Sequence, residues 1–212
     1  MGFVIYDYRT DIRNVLVTPR IRSRFLRLEP GSMPSPHSHD LGHEVFLILS
    51  GRALFEIDGE TKELGPGQMC VALADQLHSV SAVGDEPTVM YLSVTPHVQP
   101  THTMWASDGT RMPHRFTPSS AYDIETDMVT PIEELIDRNT AAVEAVAEAA
   151  ETAARIQRGL TADLKEAIAA GDDEASANAR NALWDALFEV FAKTNDLAAV
   201  WNDLAPRAAN PG

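Results

Sequence analysis

Two histidines and a glutamate raise the first chemical question in this sequence. In the segment GSMPSPHSHDLGHEVFLILSG, residues 31–51, Gly31, His37, His39, Glu44 and Gly51 follow the spacing G-x5-H-x-H-x4-E-x6-G. Residues i and i+2 of a strand point to the same face, so His37 and His39 project together. Glu44, arriving on the next strand, shares a face with Phe46 and Ile48, while Val45, Leu47 and Leu49 point the other way. Two imidazoles and one carboxylate on one side of a divalent transition metal leave coordination positions open, and this donor set suits iron, manganese, nickel, copper or zinc. A substrate or O2 fits the open positions. His43, beside Glu44, is the rival ligand, but strand alternation turns it to the opposite face.

A fourth donor is wanted further along, and His78 is the only histidine between His43 and His97. It opens the run His78–Val83 after the turn-like Ala74-Asp75-Gln76. A lone histidine is more often a core or surface residue; following the first motif, this one reads as a ligand.

Residues 31–51 and 67–82 resemble the two conserved motifs of the cupin superfamily. The first matches at every defining position. The second usually reads G-x5-P-x-G-x2-H-x3-N, and here Gly67 and His78 fit while Leu73, Asp75 and Ala82 stand in the Pro, Gly and Asn places. The resemblance covers about residues 20–95. It implies a cupin-type double-stranded β-helix, or jelly-roll, barrel; no family resemblance extends to the tail, whose own patterning makes the chain mainly β with an α extension, a C-terminal helical hairpin or bundle. The resemblance further implies one divalent transition metal inside the barrel on His37, His39, Glu44 and His78, and association as a homodimer. Cupin functions run from dioxygenases and isomerases to ligand sensors without turnover, and the fold does not choose among them. The complete ligand set favours a metal-dependent enzyme on a small molecule with oxygenase-type chemistry, in which Glu44 also serves as proton acceptor. The alternatives are a metal-dependent isomerase or lyase, and a ligand sensor or scaffold.

The elements that must position these residues follow from hydrophobic patterning. From about Phe3 to Thr95, short alternating apolar runs are separated by Pro30-Gly31, Gly51, Asp58-Gly59, Gly65-Pro66-Gly67 and Gly84-Asp85-Glu86-Pro87, the pattern of antiparallel strands in a sandwich or barrel. Asp58-Gly59 is a two-residue hairpin signal. Phe46, Ile48, Phe55 and Met69 are expected to form an apolar inner wall. Arg20, Arg22 and Arg24 alternate with Ile21, Ser23 and Phe25; they read as a solvated strand face, with an anion-holding face beside the pocket as the alternative. The barrel domain is placed at residues 1–98. Residues 99–129, rich in proline, read as an irregular linker or lid, and His97, just before it, with His102 and His114 inside it, as surface histidines.

Residues 130–206 read as an acidic helical region. Thr130-Pro131-Ile132-Glu133 has the form of an N-cap, a first-turn proline and a capping-box glutamate. Apolar residues at three- and four-residue steps predict one helix to Gly159, a second over 162–170 and a third from Asp173 to Pro206.

Composition sets the partners. Of 212 residues, 44% are hydrophobic and 23% charged, enough apolar material for a sizeable core. The net charge of −14 argues against nucleic acid and anionic membrane surfaces, and residues 121–212 alone hold 18 Asp and Glu against 7 Lys and Arg. The single cysteine, Cys70, reads as a small buried hydrophobe. With no signal-like or membrane-length apolar run, a cytoplasmic protein with a small-molecule ligand is expected.

Overall fold

The computed structural model describes residues 2–33 and 35–209. The chain divides into two compact units, residues 1–127 with the C-terminal residues from Ala205, and residues 128–204.

The first unit is built from ten strands: β1 Asn14–Thr18, β2 Ile21–Leu28, β3 His37–Ser38, β4 His43–Ser50, β5 Ala53–Ile57, β6 Glu60–Leu64, β7 Met69–Ala72, β8 His78–Ala82, β9 Thr88–Thr95 and β10 Thr103–Met104. They form two five-stranded sheets, ordered β1-β2-β9-β4-β7 and β10-β3-β8-β5-β6, a jelly-roll arrangement in which the named strand pairs are antiparallel. Alternation in β4 sets the inside of the first sheet: Glu44, Phe46 and Ile48 are buried, and Val45, Leu47 and Leu49 are only partly so. Phe46 and Ile48 pack with Ala53, Phe55, Leu64, Ala72, Met90 and Leu92 from both sheets into one core. Two turns depend on positive φ. Asp58 and Gly59, at 49° and 80°, join β5 to β6 in the left-handed conformation that a tight hairpin requires. Gly51, at 72°, also lies so close to the β9 approach that a Cβ would sit 2.5 Å from the Pro87 carbonyl oxygen.

Met69 departs from the expected inner wall. Register pairs it with Leu47 on the outer face of β4, and it is 58% exposed, while Cys70, opposite Phe46, takes the inward place. A one-residue offset in a strand reverses its faces.

Segment 99–129 is only partly irregular. It supplies β10, which pairs with β3, and a 3-10 turn at Ser119–Tyr122.

The second unit holds two helices where three were expected: α1 Ile132–Ala170 and α2 Asp173–Ala209, the latter belonging to this unit up to Leu204. α1 runs through Gly159 without a break. An interior glycine costs only about 1 kcal/mol against alanine, which its helix-forming neighbours absorb. The stop comes at Gly171, whose N–H still meets the helix carbonyls of Ala167 and Ile168 and whose φ of 67° turns the next N–H, of Asp172, back to the Ala167 carbonyl at 2.9 Å. At the other end, Pro131 rather than Thr130 is the N-cap, and no side chain among the described residues caps the helix. The Asp172 carboxylate accepts the Ala175 N–H at 2.9 Å and starts α2. Ala149, Thr152 and Ile156 of α1 line one groove with Ala182, Ala186 and Glu189 of α2, as in an antiparallel hairpin. Among the described residues, no helix is long and apolar enough to cross a membrane.

Candidate metal centre

Four donors from three strands and one loop meet at one point. One ligand atom each from His37, His39, Glu44 and His78 lies within 4.8 Å of all the others, and His39, Glu44 and His78 are buried. Glu44, near the start of β4, sits between Val94 of β9 and Ala72 of β7 in the first sheet. His37 faces His78 across the β3–β8 pair of the second sheet. His39 lies just beyond β3, and that short strand is clamped from outside: Trp105 Nε1–H donates to Ser38 Oγ at 3.0 Å, and Thr103 Oγ1–H donates to Asp40 at 2.6 Å.

Each imidazole is oriented by its Nδ1. His37 Nδ1 lies 2.7 Å from the Ser35 carbonyl, His78 Nδ1 lies 2.8 Å from the Gln76 carbonyl, and His39 Nδ1 meets the Thr101 carbonyl. A carbonyl only accepts, so all three Nδ1 atoms carry protons, and in the neutral rings Nε2 is a bare acceptor. These Nε2 atoms converge on Glu44 Oε2, at 2.8 Å from His39, 3.0 Å from His78 and 3.7 Å from His37. Acceptors do not gather around a carboxylate oxygen unless a positive centre lies among them, either protons on the imidazoles or a metal cation. Metal–ligand bonds of about 2.1 Å at right angles place neighbouring donors about 3 Å apart, which is the spacing of the closer pairs. Backbone carbonyls fixing the outer nitrogens of histidine ligands are the usual support of such a centre. The donor set therefore fits a divalent transition metal.

Burial opposes the Glu44 charge, yet with protons on the imidazoles as the positive centre, hydrogen bonds from His37, His39 and His78 outweigh it and hold the carboxyl well below its ordinary value of 4.5. A carboxylate this acidic is a stronger ligand than base.

His43 is exposed on the opposite face of β4, as alternation requires, and its Nδ1 accepts the Ala74 N–H at 2.8 Å. The loop before His78 keeps its turn despite the altered motif. Asp75, in the place of the usual glycine, adopts φ 65° and pairs with Arg111 at 2.9 Å, and its N–H donates to the His39 carbonyl at 2.9 Å.

The centre opens on a cavity of about 270 Å³ lined by His37, Glu44 and His78 together with Arg22, Arg24, Leu26, Phe46, Val80, Leu92, His102, Thr117, Ala121 and Tyr122. Three of these overturn the sequence expectations. Arg22 and Arg24 are not on a solvated strand face: with Leu26 they line the interior, while Ser23 and Phe25 meet Tyr91 on the other side of β2. His102 is not a surface histidine. Its ring packs 4.8 Å from that of His37 and 4.9 Å from that of His39, and burial, with the His37 and His39 rings and the Arg22 guanidinium beside it, holds its pKa far below the ordinary value. A chain of hydroxyls supports it, with Thr101 Oγ1 at 2.8 Å from His102 Nδ1 and 2.7 Å from the Tyr122 hydroxyl. His97 is also buried, against Tyr122, and burial lowers its pKa to about 4, whereas His114 is exposed. One signal for the arginines was present: Leu26 and Leu28 share their parity in β2.

Residues 24–95 match the family model described as a cupin domain. This part of the chain is a cupin domain. Its metal-type residues all lie inside the match, and the two helices lie outside it. Among curated proteins, the chain is 33% identical over 91 residues to the polyketide synthase CurC of Streptomyces cyaneus, a match that covers 41% of this chain and 59% of that protein. The chain thus spans less than two thirds of that relative's length. Similar solved structures include an uncharacterized conserved protein with a double-stranded beta-helix domain from Klebsiella pneumoniae, 21% identical over 49% of this chain and 97% of that one, with a TM-score of 0.45. A cupin protein from Bacteroides fragilis is 29% identical over 36% of this chain and 66% of that one, with a TM-score of 0.35.

Proposed function

We propose that the cupin domain is a metal-dependent enzyme acting on a small molecule, with one divalent transition metal on His37, His39, Glu44 and His78. The observation that carries this reading is the convergence of three Nε2 atoms and a carboxylate oxygen within 4.8 Å at the wall of a half-open, mixed polar and apolar cavity. A metal held there supplies Lewis acidity and, if redox-active, oxygenase-type chemistry. The chain's own residues do the rest. Leu26, Phe46, Val80 and Leu92 exclude water from the ligand's apolar part, and Arg22 and His102 face its polar part. Glu44 Oε2 belongs to the imidazole cluster, while Oε1 is turned toward Arg22 Nη2, at 3.9 Å, and is the oxygen placed to accept a proton from a ligand. Its depressed pKa makes that a minor role beside ligation.

The similarity to a polyketide synthase adds β-dicarbonyl compounds to the substrates worth testing, since two oxygens in a 1,3 relation chelate a metal. The decisive experiment is an oxygen-uptake and product screen of Fe(II)-, Mn(II)-, Ni(II)- and Zn(II)-loaded protein against small carboxylic acids and β-dicarbonyl compounds. Turnover that needs the metal and is lost in Glu44→Gln supports the enzyme. Tight ligand binding with no turnover by any metal form would instead make the domain a ligand sensor.

A further inference from the structure

We propose that Arg22 and Arg24 form an anion subsite that holds the carboxylate of a small organic acid beside the metal centre. The inference rests on the reading of this cavity as the place where ligand meets metal, and it narrows the ligand to a chemical class. Arg22 is only 4% exposed, and burying a guanidinium is costly unless it is paired. Its nearest carboxylate, Glu44, stands 3.9 Å from Nη2, beyond hydrogen-bond range, and gives its other oxygen to the His39 and His78 imidazoles. The Nε atoms of Arg22 and Arg24 are both buried and have no hydrogen-bond partner among the described residues. Arg22 is otherwise held by the Tyr122 ring, 5.3 Å beneath its guanidinium. Asp123, the acid outside the cavity that acts on Arg24, already accepts from the Asn14 N–H at 2.8 Å and the Asn14 side-chain amide at 2.9 Å through one oxygen.

Charge counting gives the same answer. Among the described residues, Glu44 is the only acidic one lining the cavity. A divalent ion with Glu44 leaves one net positive charge, and the two arginines add two more, in a space walled on one side by Leu26, Phe46, Val80 and Leu92. Such a cavity calls for an anion. A planar carboxylate matches the guanidinium fork and can satisfy an Nε–H that no described protein group reaches. The volume, about 270 Å³, holds about nine water-sized groups, so the acid is small and its body apolar.

The test is isothermal titration of full-length protein, Zn(II)-loaded so that no oxidation intervenes, with acetate, hexanoate and benzoate, each against its own amide, and with inorganic phosphate. At least one acid should bind 10-fold or more tightly than its amide. Arg24→Gln and Arg22→Gln should each weaken that acid by about 10- to 100-fold, and Arg24→Lys by less, because it keeps charge but loses the fork. Thermal unfolding checks that each variant is folded, and Arg24→Lys serves where a glutamine variant is not. Acids that bind no better than their amides, arginine variants that bind as the parent does, or phosphate preferred over every carboxylate would each overturn the subsite. The two readings fail separately. Zn(II) bound without any acid preference removes the subsite and leaves the metal centre, whereas arginine-dependent acid binding by protein that takes no metal keeps the subsite and removes the metal centre.

Discussion

Which histidine counts at this centre is decided by which ring nitrogen is engaged and on which face of a strand the ring stands. His43 and Glu44 are neighbours in sequence, yet β4 sends them to opposite sides, and the Ala74 N–H occupies His43 Nδ1. Glu44→Gln should therefore lower metal affinity by at least 10-fold, read by competition with a chelating dye, while His43→Ala leaves it within about 2-fold and costs about 1 kcal/mol of stability for the lost hydrogen bond. Equal losses from the two variants would place His43 in the centre. Cys70 gives a second residue-scale outcome. Burial, reinforced by the Glu44 charge, raises its thiol from 9.0 to about 11, so at pH 8 the thiolate fraction falls about 100-fold. Native protein should react with iodoacetamide at least that much more slowly than unfolded protein, and equal rates would contradict the buried setting. That His37, His39, Glu44 and His78 come together was legible from different signals: period-two spacing for His37 and His39, strand alternation for Glu44, and the family motifs for all four, His78 above all. His102 was not: it reaches the centre only because β10 returns to β3, a long-range pairing that two residues of strand leave no pattern to announce.

At the scale of elements, alternation reads faces well where the strand carries a clear apolar set and misreads them where polar residues point inward. β4 has such a set, so Glu44, Phe46 and Ile48 were placed correctly. β2 does not: its inward row is Arg22, Arg24 and Leu26, and the aromatic contacts of Phe25 with Tyr8 and Tyr91 lie on the other side. Met69 was misplaced by one residue of register, which no local pattern fixes. The helices show the limit of glycine as a punctuation mark. Gly171 takes positive φ and ends α1, while Gly159 lies inside it with open space within 4 Å of the point a Cβ would occupy. Gly159→Ala should raise stability by about 0.5–1 kcal/mol in thermal or denaturant unfolding monitored by circular dichroism. Gly51→Ala should cost roughly 2 kcal/mol or more, because left-handed φ and a clash with the Pro87 carbonyl act together. A destabilised Gly159→Ala would mean that the helix breaks there, as the sequence pattern suggests.

For the whole molecule, charge and apolar surface argue about partners. A net charge of −14 opposes attachment to nucleic acid or anionic membrane. On α2, Trp184, Phe188 and Phe191 are 55%, 54% and 61% exposed and lie on one helical face, with ring centroids 6.3 and 6.4 Å from Trp184. The apolar patch itself, against the repulsion of two acidic helices, calls for a second copy of the same face, and light scattering should give twice the 23.1 kDa chain mass, reverting to one chain in Phe191→Lys. A monomer at all concentrations would rule the homodimer out. A β sandwich or barrel was legible from strand spacing and turn residues, its jelly-roll form from the family motifs, and the helical tail from periodicity though not its cap or its number of helices, whereas partners and substrate are properties of surfaces and cavities that only the folded chain assembles. The central claim is the metal on His37, His39, Glu44 and His78, and elemental analysis of full-length protein purified without chelator tests it most directly. About one transition metal ion per chain, falling to a small fraction in Glu44→Gln, is the expected result; native protein that is metal-free and refuses Fe(II), Mn(II), Ni(II), Cu(II) and Zn(II) would contradict it.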